Sequence, residues 1–169
     1  MAQVPASYSP YGKECRSLWT VPHGYRLVGC DASGLELRML AHYMNDKRYT
    51  NEILTGDIHT ANQLSAGLET RDQAKTFIYA FLYGAGDEKI GSILGGGASI
   101  GKKVKKKFLD NTPALKSLRE RVATASKRGY LIGLDGRRIM VRSEHSALNT
   151  LLQGAGAIVM KKALALLNN

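Results

Sequence analysis

Residues 70–86 read T-R-D-Q-A-K-T-F-I-Y-A-F-L-Y-G-A-G, and this stretch decides the fold. Thr70 followed three residues later by Gln73 is a capping-box pattern, so a helix starts there. Gly84 and Gly86 offer it a place to stop. Ala74, Phe77, Ile78, Phe81, Leu82 and Ala85 recur at helical spacing and predict one buried stripe. Arg71, Lys75, Tyr79 and Tyr83 recur every fourth residue on another face. At about 1.5 Å rise per residue, neighbours in that row stand about 6 Å apart. Two cations followed by an aromatic suit a polyphosphate with a flat base beyond it. A solvated helix with two basic residues and two half-buried tyrosines has the same spacing. The row alone leaves both readings open.

Bulk composition narrows the partner. The chain has 169 residues, 44% of them hydrophobic, enough for a real core in one medium domain or part of a larger one. A formal net charge of +10 favours a polyanion, most simply nucleic acid. Aromatic residues make up only 7%, which argues against an open stacking platform as the main device. Cys15 and Cys30 form no C-x-x-C pair, so neither a disulfide scaffold nor a zinc knuckle is expected. No uninterrupted run of eighteen apolar residues is present, so no transmembrane helix and no membrane partner are expected. The first ten residues lack the basic and apolar regions of a signal peptide and read as extended surface chain.

Upstream of the central stretch, residues 14–19 suit a short helix or a strand end, and Arg16 stands out there. Residues 25–30, Y-R-L-V-G-C, read as a buried strand entering Asp31. Ser33 with Glu36 three residues on predicts a capped helix, with Leu37, Leu40, Ala41 and Met44 on its buried face. That places Asp31 at a strand-to-helix corner, where a carboxylate can serve as a metal ligand or as a simple turn residue. A short helix is expected before Gly56. Asp57 then caps the next one, with His59 in its first turn.

Downstream, a short helix over residues 87–94 should stop at the glycine run 95–97. The run 101–110, G-K-K-V-K-K-K-F-L-D, reads as a solvated basic helix face. Thr112 and Pro113 open another helix, with Leu115, Leu118 and Val122 inward and Gly129 at its end. Residues 130–141 read as a β-hairpin turning at Asp135-Gly136. Ser143 caps a long last helix that is apolar along Leu148, Leu151, Leu152, Ala155, Ile158 and Val159. Asn149 and Gln153 share another side, where their amides could hydrogen-bond base edges or simply flank an amphipathic helix. Residues 96–103, G-G-A-S-I-G-K-K, approach a phosphate-binding loop, with residues 90–94 as the strand before it. Lys103 stands where that motif needs a hydroxyl for Mg²⁺.

Four blocks in order carry a more specific signal. They are D-A-S-G-L-E-L-R from Asp31 to Arg38, D-I-H from Asp57 to His59, R-x-x-x-K-x-x-x-Y-x-x-x-Y-G from Arg71 to Gly84, and N-x-x-x-Q-G from Asn149 to Gly154. Together they resemble the family A (DNA polymerase I-like) DNA polymerases, and among those the replicative polymerases of short-tailed phages. The first block resembles motif A of the palm, and the third resembles motif B, the fingers helix. A-Q-V-P near the start resembles the segment that leads into the palm.

The resemblance implies a template-directed DNA polymerase that adds dNTPs to a primer 3′-hydroxyl in viral replication, in the cytoplasm of an infected bacterial host. It implies that Asp31, with the Ala32 carbonyl, binds the catalytic Mg²⁺ ions. Glu36 would meet the sugar side of the nucleotide and disfavour a 2′-hydroxyl. His59, Arg71 and Lys75 would hold the triphosphate, and Tyr79 would lie by the ribose and base. Tyr83, with Gly84, would stack near the templating base. Arg16, Asn149 and Gln153 would meet the minor groove of the nascent pair.

A two-metal site needs a second carboxylate. The family supplies it from an H-D-E or H-D-H turn, and this chain contains neither. His145 stands where many members have Arg, and Gly34 where many have Gln, although the phage branch shows the latter change too. The expectation is therefore a fragment lacking motif C, thumb and exonuclease, inactive by itself, beginning at an internal methionine. It would use primer-template DNA and dNTPs, with a processivity factor as a further partner of the intact protein. One partner of a split polymerase and a non-catalytic nucleic-acid-binding module are the alternatives. The expected fold is α+β and mostly helical: partial palm over residues 1–60, fingers over 61–128, and a hairpin and helix returning to the palm over 129–169. Short antiparallel strands belong to the palm and helices to the fingers.

Overall fold

A computed structural model describes residues 4–167. Ala2 and Gln3 of the A-Q-V-P segment lie outside the described residues. The chain divides into two compact units, residues 1–33 and 34–169.

In the first unit, α1 (Gly12–Ser17) is one short helix, the helical option for residues 14–19. Arg16 donates from Nε to the Pro5 carbonyl at 2.9 Å and from Nη2 to the Val4 carbonyl at 3.5 Å. That folds the preceding chain back over the helix. Residues 25–30 do not form the expected buried strand. They are irregular, and Leu27 and Val28 are 62% and 85% exposed. The physical reason is the ladder: a strand persists only where another strand takes up its N–H and C=O groups. Among the described residues the two strands present pair with each other. An apolar run with no neighbour to pair with stays open.

The second unit is helical around one core. Its elements are α2 (Leu35–Met44), α3 (Lys47–Leu54), α4 (Ile58–Ala66), α5 (Arg71–Leu82), α6 (Asp87–Ile93), α7 (Ala98–Asp110), α8 (Pro113–Ser126), β1 (Tyr130–Ile132), β2 (Arg138–Met140) and α9 (Glu144–Leu167). The mostly helical α+β reading holds. The cap of α2 differs from expectation. Its N-cap is Gly34 at φ 61°, so the helix starts one residue later than a Ser33 cap requires. The left-handed turn at Gly34 leaves Ser33 one place outside. The buried face of α2 is the expected one, Leu37, Leu40, Ala41 and Met44.

The central helix α5 forms as its sequence dictates. Thr70 accepts from the Gln73 N–H, and the Gln73 side chain accepts from the Thr70 N–H, a complete capping box. Ala74, Phe77, Ile78, Phe81 and Leu82 are buried, while Ala85 lies past the helix end. Phe77, Phe81 and Phe108 of α7 meet in one aromatic cluster. Phe108 presents near-perpendicular contacts to the other two, with ring centroids 5.3 and 5.5 Å away.

The basic run lies on α7 and is partly structural. Lys105 pairs with Asp87 at 2.9 Å, and the Lys107 stem covers Gly67 at the C-terminal end of α4, where a cation is favoured. Gly101 lets α7 cross α6 closely: a Cβ there would stand 2.0 Å from the Asp87 carbonyl oxygen. Residues 90–93 are helical in α6. The phosphate-loop motif therefore lacks the strand it needs, and its last glycine serves helix packing.

The hairpin pairs Tyr130 with Met140, Leu131 with Ile139 and Ile132 with Arg138. Gly136 takes the left-handed conformation at the turn, φ 81°, and the Arg137 side chain pairs with Asp135. Ser143 caps α9 by accepting from the Ser146 N–H at 3.3 Å. With 24 residues and a mean hydropathy of 1.3 in its most apolar window, α9 is long and apolar enough to cross a membrane by length and composition. Asn149, Gln153 and the Lys161–Lys162 pair interrupt its apolar run along the sequence. Its first half packs as a core helix, burying Ala147, Leu148, Leu151, Leu152, Ala155 and Gly156.

Candidate nucleotide and DNA site

The outer row of α5 comes to three different ends. At the N-terminal end, Arg71 does not stand free. Its Nε donates to Asp57 Oδ2 at 2.6 Å and its Nη2 to Oδ1 at 3.2 Å. Asp57 also accepts from the His59 N–H and the Thr60 hydroxyl at the start of α4. The Arg71 guanidinium and these hydrogen bonds hold the Asp57 carboxyl well below the usual carboxylate range. One carboxylate thus caps α4 and grips the cation on α5. Sequence reading placed Asp57 only as a cap, because nothing in a separation of 14 residues signals an ion pair.

His59 is carried by the first turn of α4 and half-buried. Burial is the main cause that lowers its pKa, with Arg71 and Lys75 adding to it against the pull of Asp57. The neutral imidazole is therefore favoured, and its Nδ1 is buried without a hydrogen-bond partner among the described residues. Its ring lies 6.3 Å from that of Tyr79. Lys75, one turn beyond Arg71, is exposed on the same row.

At the far end the row meets α2 and α9. Gln153 Nε2 donates to Glu36 Oε1 at 3.3 Å and to Tyr83 Oη at 3.2 Å. Two residues from separate blocks of sequence, Glu36 and Tyr83, so converge on the amide of a third. Burial raises the Tyr79 phenol pKa first, and the nearby Glu36 carboxylate and Tyr83 raise it further. Asn149 is half-buried one turn before Gln153. Gly84 ends the row at φ 78°, and a Cβ there would sit 2.8 Å from the His145 carbonyl oxygen. Glycine is needed at that position for both reasons. A cavity of about 600 Å³ opens beside it, bordered by Phe81, Gly84, Lys116, Arg119 and His145.

Arg16, Asp31 and Ala32 belong to the first unit. Asp31 is exposed there and Ala32 half-buried, and the Arg16 guanidinium is engaged by the Val4 and Pro5 carbonyls. Among the described residues no three His, Cys, Asp or Glu side chains cluster in a way that could hold a metal ion. The oxygen donors of Asp31 and Ala32 suit Mg²⁺ by type, yet they are too few to form a complete site.

Cations and a neutral imidazole at one end, with a carboxylate, two phenols and an amide at the other, define a class of protein. Its chemistry suits a ligand that carries phosphates and a flat ring. The particular family follows from comparison. The family model described as DNA polymerase family A matches residues 1–169, and the chain belongs to DNA polymerase family A. It is 51% identical to the DNA-directed DNA polymerases of Escherichia phage T7 and Enterobacteria phage T3, over 95% of this chain and 27% of each relative. It is 44% identical to that of Escherichia phage Phieco32, over 95% of this chain and 30% of the relative. The chain thus spans between a quarter and a third of the length of these curated relatives. Its fold is similar to the POL domain of Pol1 from M. smegmatis, solved with DNA primer-template and dNTP. The TM-score is 0.75 at 23% identity, over 94% of this chain and 32% of that one.

Proposed function

We propose that this chain is the nucleotide-gripping part of a phage replicative DNA polymerase, joining dNTPs to a primer 3′-hydroxyl under template direction. The observation that carries the reading is the convergence of Glu36, Tyr83 and Gln153 at the end of the α5 row opposite Arg71 and Lys75. It makes one face with phosphate chemistry at one end and sugar and base chemistry at the other. His59, Arg71 and Lys75 hold the triphosphate, and developing negative charge on the leaving pyrophosphate is stabilised by Arg71 and Lys75. A neutral His59 donates a hydrogen bond to a phosphate oxygen without adding charge. Glu36, tied by Gln153, faces the sugar and leaves no room for a 2′-hydroxyl. Tyr79 lies by the ribose and base.

Tyr83 and Gly84 meet the templating base, and Arg16, Asn149 and Gln153 meet the minor groove of the new pair. The 3′-hydroxyl gives its proton to water as its oxygen bonds to the α-phosphorus, and the bond from that phosphorus to the α–β bridging oxygen breaks, so pyrophosphate leaves. Asp31 and the Ala32 carbonyl would hold part of the coordination of the divalent ions used generally in this family, and a second carboxylate would be needed to complete it. When bound, such ions would supply charge neutralisation to the reacting oxygens. Residues 1–60 then belong to the palm, 61–128 to the fingers, and 129–169 return to the palm. The setting is the cytoplasm of an infected bacterium, with primer-template DNA as partner and a processivity factor as a further one.

The test is made in the polymerase that carries this segment. Lys75→Ala is expected to raise the KM for dNTP at least tenfold while primer-template affinity holds. Asp31→Ala is expected to abolish extension with nucleotide affinity retained. Wild-type extension by either variant removes the assignment. The isolated chain is expected to show no primer extension.

A further inference from the structure

The β1–β2 hairpin has two faces of different chemistry, because strand side chains alternate sides. The inner face carries Leu131, 3% exposed, and Ile139, whose Cδ1 lies 2.9 Å from where a Cβ on Gly154 of α9 would stand. The register places Tyr130, Ile132, Arg138 and Met140 together on the other face. Beyond the ladder, the Val141 N–H donates to the Gly129 carbonyl at 3.0 Å. Gly129 turns there at φ 81°, and Arg128, in the turn after α8, donates from Nε to the Ala125 carbonyl at 3.3 Å. Two arginines, Arg128 and Arg138, meet at the Tyr130 ring on this face, beside Ile132 and Met140.

This face is built for an anion and has none of its own. The Arg128 and Arg138 guanidinium carbons lie 5.3 and 4.7 Å from the Tyr130 ring centroid. Among the described residues neither makes an ion pair with a carboxylate. The one carboxylate within the hairpin, Asp135, is taken by Arg137 at the turn. Two like charges beside one ring repel each other. The ring offsets part of that cost, and an anion between them would offset the rest. Ile132 and Met140 are 49% and 72% exposed on the same face, which is apolar surface of the kind that unstacked bases cover.

We propose that the outer face of this hairpin binds single-stranded nucleic acid, with Arg128 and Arg138, held by the Tyr130 ring, on successive phosphates and Ile132 and Met140 against bases. Guanidinium forks match phosphate oxygens, and the exposed apolar surface of Ile132 and Met140 suits the unstacked bases of a single strand, which a duplex keeps inside its stack. The surface is separate from the α5 row and does not depend on the nucleotide reading. The other partner such a face could take is an acidic protein segment.

The experiment uses the chain as it is, with fluorescein-labelled oligothymidylate followed by anisotropy over a series of salt concentrations. Arg128→Gln with Arg138→Gln is expected to weaken binding at least tenfold near about 0.1 M salt. The salt slope should fall by about 0.7 for each cation removed. Met140→Lys adds a cation to the same face and is expected to tighten binding and steepen the slope. An unchanged far-ultraviolet circular dichroism spectrum for that variant separates the gain from misfolding. Lys75→Ala should leave oligothymidylate binding as it was while weakening dNTP binding. If the wild-type chain fails to bind dNTP, the polymerase reading fails and the hairpin result still stands. Unchanged affinity and slope in both hairpin variants would overturn the proposal. So would equal affinity for a duplex of the same length. A third overturning result is loss of oligoglutamate binding in the double variant with oligothymidylate binding intact, which would assign the face to an acidic protein.

Discussion

Phe108→Ala tests how α5 is held in place. Phe108 is completely buried on α7 and presents edges to Phe77 and Phe81, at interplanar angles of 88° and 85°. Those two rings belong to the inner stripe of the helix whose outer row carries Arg71, Lys75 and Tyr79. Truncating a buried Phe to Ala costs about 3–5 kcal/mol through lost transfer energy and the cavity left behind. The two edge-to-face contacts, worth about 0.5–1.5 kcal/mol each, place this site in the upper half of that range. A native domain has only about 5–15 kcal/mol in total, so the variant should lose about a quarter or more of it. Phe108→Leu keeps most of the volume and loses the ring contacts, and should cost about 1–2 kcal/mol.

The assay is equilibrium urea unfolding followed by far-ultraviolet circular dichroism, with dNTP affinity measured beside it. The transition midpoint should fall while its slope holds, as for a pure change in stability. Affinity should fall in the order wild type, Phe108→Leu, Phe108→Ala, because α5 loses its backing. A loss under about 1 kcal/mol for Phe108→Ala would falsify the view that this cluster anchors the helix.

The other perturbations concern charge and backbone. Asp57→Asn keeps an N-cap acceptor for α4 but loses the ion pair with Arg71, which is half exposed to solvent on both sides. Melting should barely move while tripolyphosphate affinity rises several-fold, because the substitution removes a negative charge and releases two Arg71 donors, and most of that rise should vanish in an Arg71→Ala background. Asp57, Asp87 and Asp135 are all held below the ordinary value of 3.8, each chiefly by a hydrogen bond from a basic side chain. The folded form then binds fewer protons than the unfolded one, so their contribution is full above 3.8 and is lost as pH falls below it. Acid titration should show a smaller loss below pH 3.8 for Asp57→Asn than for wild type. Gly84→Ala should cost about 1–2 kcal/mol for the left-handed backbone alone, and more for the clash with the His145 carbonyl, read as a lower thermal midpoint.

Local chemistry alone determined a good part of this protein. The Thr70–Gln73 capping box, the Phe77–Phe81 stripe, the Asp57 cap and the Asp135-Gly136 turn each act within a few residues, where spacing sets geometry. The four polymerase-like blocks were legible for a related reason: each is a pattern within one short run of sequence. Tertiary structure alone decided the long-range pairings. Asp57 reaching Arg71, and Gln153 bridging Glu36 and Tyr83, join residues whose separation along the chain carries no signal. The hairpin's arginine face needed the register as well, since a shift of one residue would turn those side chains to the core. Residues 25–30 show the same limit from the other side. Their apolar run satisfies the composition of a strand, but a strand exists only when a partner takes its hydrogen bonds, and composition does not supply the partner.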